Sequence, residues 1–344
     1  MGRKATLLLL DNLLVISTIM ILAVTVICRS LPAAPISGEL QLMLLVAPGL
    51  FALNAMLLLW WLLRRRWIVA LIPLVALFVG ASQIAPHVQP PHFQTPSPSD
   101  LRVATLNVHS FMQQPSRGLS VDRIAAMLRS ERIDIACFQE TVDDPEHPFN
   151  YLADRFADYM PYRVREEAMS CFSRYPILSH HYVQFPHSNQ SFMSVDLRVG
   201  ERTVRVLSVH FQSSGISISR RRIRHNYQRE MPLDTLCRLL ADNSALRATQ
   251  VAMVQQVIDT TQLPLLVMGD FNDTPASYTY HAISRGLTNA FNSAGRGWSG
   301  SYRNLLTIDY IFHDTHFEAT ECYVWRDERL SDHSPILAGL RFVP

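Results

Sequence analysis

The sequence predicts an α/β domain with a mixed-sheet core, preceded by three transmembrane helices. Two observations carry that class. The first 85 of the 344 residues are almost wholly apolar, whereas the remainder has ordinary globular composition. From residue 101 onward, short strands alternate with stretches of helical spacing, and two adjacent strands read as a hairpin. The expected domains are a three-span anchor over 1–85, a proline-rich linker over 86–100 and one globular domain over 101–344.

The anchor rests on three apolar stretches, 5–27, 40–63 and 67–84. A helix needs roughly 20 apolar residues to cross the hydrocarbon core. Asp11 and Asn12 are expensive in lipid, which places them near the interface or against another helix. The first stretch is longer than the apolar region of a signal peptide, so it reads as a retained anchor. Arg3 and Lys4 precede it, and Arg64, Arg65 and Arg66 lie between the second and third stretches. Positive charge stays inside. The N-terminus is therefore expected in the cytoplasm and the globular domain on the extracytoplasmic face. The linker, PHVQPPHFQTPSPSD, reads as an extended tether.

From residue 101 onward, 25 arginines face 26 carboxylates, for a net charge of −1. Strong nonspecific binding to nucleic acid usually needs a basic footprint, which this balance does not supply. The five cysteines show no zinc spacing. Cys28 falls at the end of the first expected membrane segment, and the other four are compatible with buried thiols or with two disulfides.

The predicted elements follow in order. Residues 101–107 alternate as a half-buried strand, and 122–130 have helical spacing, with Ile124, Met127 and Leu128 on one face. Residues 133–138 form a strand ending at Gln139 and Glu140. Residues 191–199 and 203–211 flank Gly200-Glu201 as a hairpin. Residues 235–262 read as one or two helices. Strands are expected over 263–268, 307–312 and 336–342.

Polar residues recur at these strand ends. Leu265–Asp270 is an apolar run that climbs to a glycine, and Asn272 follows two residues later. Because strand side chains alternate, Asp270 and Asn272 point one way and Phe271 turns back to the core. An acid and an amide so placed can orient a water beside a phosphate. Asn107, Glu140, His210, Asp309, Asp332 and His333 occupy similar positions. Each alone is compatible with a turn or a structural histidine. Asp309, between Ile308 and Ile311, would be costly if buried without a partner.

The order of these blocks resembles the endonuclease/exonuclease/phosphatase superfamily, the DNase I-like group, over about residues 101–344. The blocks are Leu106-Asn107-Val108, Phe138-Gln139-Glu140-Thr141, Phe172-Ser173-Arg174-Tyr175-Pro176-Ile177, Ser208-Val209-His210-Phe211, Gly269-Asp270-Phe271-Asn272, and Ile308-Asp309-Tyr310-Ile311 with Ser331-Asp332-His333. The resemblance implies a four-layer α/β sandwich, two mixed β-sheets flanked by helices. It implies a divalent-metal-dependent hydrolase that attacks a phosphodiester or phosphomonoester with an activated water. Glu140 is then the main ligand for Mg²⁺ or Mn²⁺, with Asn107 beside it and Asp332 completing the shell. His333 would be the general base, oriented by Asp309. Asp270 and Asn272 would orient the water and hold the phosphate, and His210 would donate to a phosphoryl or leaving oxygen. Asn272 and Arg174 are the expected substrate contacts. His109 stands where apurinic endonucleases carry Asp, which argues against apurinic-site cleavage. Tethering at a membrane suits a phospholipid or lipid-linked phosphoester. An extracytoplasmic nuclease acting on DNA or RNA is the alternative, and a non-catalytic binding module is the second. Arg220, Arg221, Arg222 and Arg224 form a basic cluster suited to phosphate groups or to plain solvation.

Overall fold

The structure, a computed structural model, describes residues 15–16, 18–20, 23, 38–90, 98–111, 117–141, 154–215 and 232–343. Most of the first apolar stretch, the middle of the linker and the arginine cluster at 220–224 lie outside the described residues. The chain divides into two compact units. One comprises Met1–Ala85, Gly215–Ala245 and Ala276–Tyr278, and the other Pro86–Ser214, Leu246–Pro275 and Thr279–Pro344.

The first unit contains helices α1 (Gly38–Leu63) and α2 (Trp67–Ile84). The two pack closely enough that a Cβ on Gly80 would lie 2.1 Å from the Phe51 ring. Apolar side chains also face outward: Leu63 is 73% exposed, Ile68 84% and Phe78 82%. Among the described residues no helix is long and apolar enough to cross a membrane. The expected set of three transmembrane helices is therefore not shown. α2, at 18 residues, is shorter than the roughly 20 a span needs.

In the second unit two six-stranded sheets face each other. The first runs β13-β14-β2-β3-β5-β4, with β2 (Leu101–Asn107), β3 (Ile135–Gln139), β4 (Tyr162–Glu166), β5 (Met169–Ser173), β13 (Phe317–Val324) and β14 (Ile336–Phe342). The other runs β10-β12-β9-β8-β7-β6, with β6 (Ile177–Gln184), β7 (Ser191–Val199), β8 (Arg202–His210), β9 (Leu265–Asp270), β10 (Thr288–Asn289) and β12 (Asp309–His313). Both are mixed, since β2 pairs parallel with β3 and β8 parallel with β9, while the remaining pairs are antiparallel. Val103, Cys137, Met193, Val206 and Met268 are among the residues that fill the space between the sheets.

Helices flank this pair. Helix α3 (Arg117–Ser130) lays Val121, Ile124 and Leu128 into a core with Leu106, Phe138 and Phe172. A 28-residue helix, Leu233–Thr260, buries Val251, Val254 and Ile258 along one stripe. β2 is covered on both faces and buries all its residues but Arg102, so the expected half-exposed alternation does not hold. Cys137, Cys171, Cys237 and Cys322 are free and buried.

The start of the linker is docked rather than loose. β1 (Val88–Gln89) pairs antiparallel with β11 (Gly297–Trp298). The His87 ring stacks on Trp298 at 5.7 Å, and its Nδ1 lies 3.0 Å from Thr307 Oγ1. Ser299 Oγ donates to the Pro86 carbonyl at 2.6 Å. Proline-rich chain has few backbone donors to spare, and the pairing here uses the residues between the prolines.

Candidate active site

The strand register brings the polar strand ends together. Asp309 sits directly opposite Asp270 across β12 and β9, and His210 pairs with Asp270 across β8 and β9. Gly269 makes the closeness possible. Its φ is +143°, and a Cβ there would lie 2.0 Å from the Val209 carbonyl oxygen. Only glycine admits that backbone and that approach.

Two opposed carboxylates repel unless a cation lies between them. His333 supplies one. Its Nδ1 lies 2.8 Å from Asp309 Oδ2, and its Nε2 lies 3.8 Å from Asp270 Oδ2. The Tyr302 ring packs against the imidazole at 5.0 Å. Asp270, Asp309 and His333 are all buried. Burial alone would lower the His333 pKa, but the Asp309 and Asp270 charges outweigh it and raise it to about 10. Burial, then the Asp309 charge, pushes Asp270 up to about 7. The other Asp309 oxygen, Oδ1, is buried without a hydrogen bond.

Across the cleft lies the Glu140 side. Asn107 Nδ2 donates to Glu140 Oε1 at 2.9 Å and to Asp270 Oδ2 at 3.0 Å, bridging the two sheets. Its Oδ1 accepts from the His109 backbone N–H at 3.0 Å, which fixes the amide's orientation. His210 Nε2 lies 3.7 Å from Glu140 Oε1 and 3.8 Å from Asp270 Oδ2. Burial lowers the His210 pKa against the Glu140 charge, which raises it. His109 Nδ1 approaches Glu140 Oε2 at 3.3 Å and Asp332 Oδ1 at 3.9 Å. Burial works to raise the Glu140 pKa, but His109, His210 and Asn107 together hold it down at about 2. The bond to Glu140 raises the His109 pKa. Glu140, His109 and Asn272 adopt φ of +57°, +44° and +51°. Non-glycine residues reach that region at a cost, and such strain gathers at functional sites.

The loop after β9 is pinned from behind. Asn272 N donates to Asp270 Oδ1 at 2.8 Å, and Asn272 Nδ2 to the Phe211 carbonyl at 2.9 Å. Phe271 is fully buried, as strand alternation predicts. Arg247, itself buried, holds Asp273 at 3.1 Å and the Gln212 carbonyl at 2.8 Å. On the opposite wall Ser331 Oγ donates to the Asn107 carbonyl at 2.7 Å, and Arg303 lies 3.6 Å from Asp332.

Asn107, Glu140, His210, Asp270, Asp309, Asp332 and His333 thus gather at one end of the two sheets, and Asn272 joins through its backbone N–H while its side-chain amide donates to the Phe211 carbonyl rather than standing free as the expected phosphate contact. Arg174 does not join them. Its guanidinium bonds Asp134 at 2.8 Å and lies over the Tyr159 ring. Asp134 precedes β3 whereas Glu140 follows it, so Arg174 stands at the opposite end of that five-residue strand, roughly 15 Å away. The expected substrate contact is instead a structural clasp. Sequence reasoning did not assign Tyr302, Arg303, Ser331, Arg247 or Gln139 to the site. Gln139, buried between Thr105 and Ser208, carried the one usable signal, an amide ending an apolar strand.

Among the described residues, one group of donors lies close enough together to share a metal. The ligand atoms of Asp270, Asp309 and His333 lie within 4.8 Å of one another. His109 lies between Glu140 and Asp332, with the Glu140 and His109 side chains 33% and 47% exposed, but these three do not close into a second such group.

A two-sheet α/β sandwich whose strand ends converge on carboxylates, histidines and amides defines a hydrolase-like class of fold and site. The profile of the Endonuclease/Exonuclease/phosphatase family matches residues 104–333. The chain belongs to that family, whose members are usually hydrolases acting on phosphoester bonds. Among solved structures, an endonuclease/exonuclease/phosphatase from Beutenbergia cavernae is similar at 20% identity and TM-score 0.53, over 70% of this chain and 71% of that one. A family protein from Leptotrichia buccalis is 17% identical, with TM-score 0.51, over 70% of this chain and all of that one. Humanized D. rerio TDP2 is 15% identical, with TM-score 0.52, over 70% and 98%. No curated relative matches the sequence.

Proposed function

We propose that the protein is a membrane-anchored, divalent-metal-dependent phosphoesterase that hydrolyses its substrate by in-line attack of water. The observation that carries the reading is the His333–Asp309 pair at 2.8 Å, with Asp270 and His210 beside it and Glu140 across the cleft. Glu140 and Asp332 would hold Mg²⁺ or Mn²⁺. In the Asp270–Asp309–His333 set, Asp309 and His333 already bond each other in a buried site, which leaves part-exposed Glu140 as the freer oxygen ligand. Asn107 is placed to support that side, with one lone pair of Oδ1 beyond the one His109 uses. When bound, the cation would neutralise charge on the phosphoryl oxygens.

The proton roles differ from those expected from sequence. His333, held charged by two carboxylates, is suited to donate from Nε2 to a phosphoryl oxygen. Asp270, raised to about 7, is suited to take the proton of the attacking water near neutral pH. Asn272 N–H orients its carboxylate. His210, buried and biased toward the neutral form, would contact the phosphoryl or leaving oxygen.

Two features support a membrane setting. α1 and α2 turn large apolar side chains outward, a surface that water disfavours and lipid covers. Arg64, Arg65 and Arg66 join them, which favours a cytoplasmic turn and an extracytoplasmic catalytic domain. A lipid or lipid-linked phosphoester suits that placement. The net charge of −1 beyond residue 100 favours it over DNA or RNA. The purified full chain with Mg²⁺ or Mn²⁺ should hydrolyse bis-p-nitrophenyl phosphate, and His333→Ala should lose roughly 10²–10⁴ of the rate. A wild-type rate in His333→Ala would overturn the site. Cleavage of linear DNA or RNA with phospholipids untouched would overturn the substrate class.

A further inference from the structure

We infer that Cys137 and Cys171 close a cross-strand disulfide when the chain folds in an oxidising medium, stapling β5 to the strand that ends beside Glu140. The inference stands apart from the catalytic reading. It draws on the extracytoplasmic placement only for where the bridge would form in a cell.

The register sets the two thiols face to face. Cys137 on β3 lies directly opposite Cys171 on β5, and both side chains enter the core between the sheets. In an antiparallel ladder, opposite residues alternate between pairs that exchange backbone hydrogen bonds and pairs that do not. The second kind stand closer, with Cα atoms ~4.5 Å apart. Two bonds show which kind this is. Arg174 N–H donates to the Asp134 carbonyl at 2.9 Å, so Ala136 and Phe138, in step with Asp134, turn their backbone groups toward β5. Val108 N–H donates to the Gln139 carbonyl at 3.0 Å, so Cys137, in step with Gln139, turns its backbone groups toward β2. Cys137 and Cys171 are therefore a close, non-hydrogen-bonded pair. A disulfide needs Cα atoms roughly 4.4–6.8 Å apart and Cβ vectors that do not diverge, and such a pair meets both conditions.

A buried cysteine is by itself a small apolar residue. Pairing sets these two apart. Cys322 on β13 stands opposite Ala338, and Cys237 lies on the helix Leu233–Thr260. The chemistry is thiol–disulfide exchange, with a small-molecule or protein disulfide as the oxidant. One cysteine thiolate attacks the oxidant, forms a mixed disulfide and releases half of the oxidant as a thiol. The other cysteine attacks the protein sulfur of that mixed disulfide and releases the second half. Two protein thiols give up two electrons and two protons, and the oxidant takes them up as two thiols. Both cysteines are fully buried, and contact with Cys137, then burial, raises the Cys171 pKa. Thiolate is scarce in the folded domain, so the exchange belongs to folding, before the sheets close. Extracytoplasmic compartments supply such oxidants.

The full chain is prepared from cell membranes and, separately, by cell-free synthesis into lipid discs with glutathione and glutathione disulfide. Each preparation is dissolved in denaturant with N-ethylmaleimide, digested and read by mass spectrometry. The glutathione preparation should yield the Cys137 and Cys171 peptides joined until a reductant separates them, with Cys237 and Cys322 labelled. The bridge closes a loop of about 34 residues, so Tm should exceed that of the chain made under reductant by roughly 5–10 °C. That gap should vanish in Cys171→Val, or in Cys137→Ala if the valine variant does not fold. Label on both Cys137 and Cys171 in the glutathione preparation overturns the inference, as does a bridge from either one to another cysteine. A joined pair in the membrane preparation as well supports the extracytoplasmic placement. Label there, beside a bridge in the glutathione preparation, overturns that placement and leaves the inference standing.

Discussion

On one wall of the cleft, Asp270, Asp309 and His333 are buried, and a 2.8 Å hydrogen bond locks two of them together. On the other, Glu140 and His109 are part-exposed, and His109 reaches Glu140 and Asp332 more loosely, at 3.3 and 3.9 Å. On the closed wall the β9–β12 register sets the Asp270–Asp309 spacing, and His333 enters from the segment before β14. The open wall sits on a strained turn and on the residue after a strand. The contrast separates two ways of making a site. One is complete before anything binds, and its groups are tuned by each other's charge. The other is a set of donors whose final geometry a ligand would set.

The largest effect is expected on the closed wall. Asp309→Asn keeps the shape but removes the charge that holds His333 protonated. The rate should fall by roughly 10²–10⁴, with KM and Mn²⁺ affinity little changed. A parallel loss of metal affinity would erase the distinction between the walls. Glu140→Gln should do the converse. Mn²⁺ at a hundred times its Kd should stabilise the wild type by roughly 2.7 kcal/mol. For a domain of this size that is a rise in Tm of about 5–10 °C. In Glu140→Gln the rise should vanish, while Tm without metal stays near wild type. A metal-dependent rise that persists would move the ion to the closed wall.

The two walls were also unequally legible. Every residue of the closed wall stands in or beside a strand whose apolar pattern reads directly, so Asp270 and Asp309 announce themselves as polar breaks in buried runs. Asn107 and Glu140 are visible for the same reason. What the chain does not display is partnership across long separations. Arg174 looked like a free cation because Asp134, 40 residues away, is an ordinary acid in sequence. The linker looked loose because Pro86–Gln89 has no strand pattern, and its partners at 297–307 lie some 200 residues on. Strands β4 and β13 alternate irregularly against solvent, and so passed unread. The left-handed turn at His109 depends on bonds donated to the Gln139 and Glu140 carbonyls that no local preference encodes.

The docked linker yields the smallest prediction and the sharpest test of how the closed wall is held. His87 backs the strand that carries Asp309, through Thr307 two residues earlier. Burial drops its pKa from 6.5 to about 4. The fold therefore favours the neutral ring. That contribution is fully present above the unfolded value near 6.5, and it is lost as pH falls from there toward 4. Its upper size is of order 3 kcal/mol. His87→Gln has no such titration. The Tm gap between wild type and His87→Gln should therefore shrink as pH drops from 7 toward 4.5, with the titrations common to both cancelling. If the linker helps hold the closed wall, kcat in His87→Gln should fall by severalfold while Mn²⁺ affinity on the open wall stays put. A gap constant with pH would mean that His87 is not held neutral by the fold. An unchanged kcat would mean that β12 positions Asp309 without help from behind.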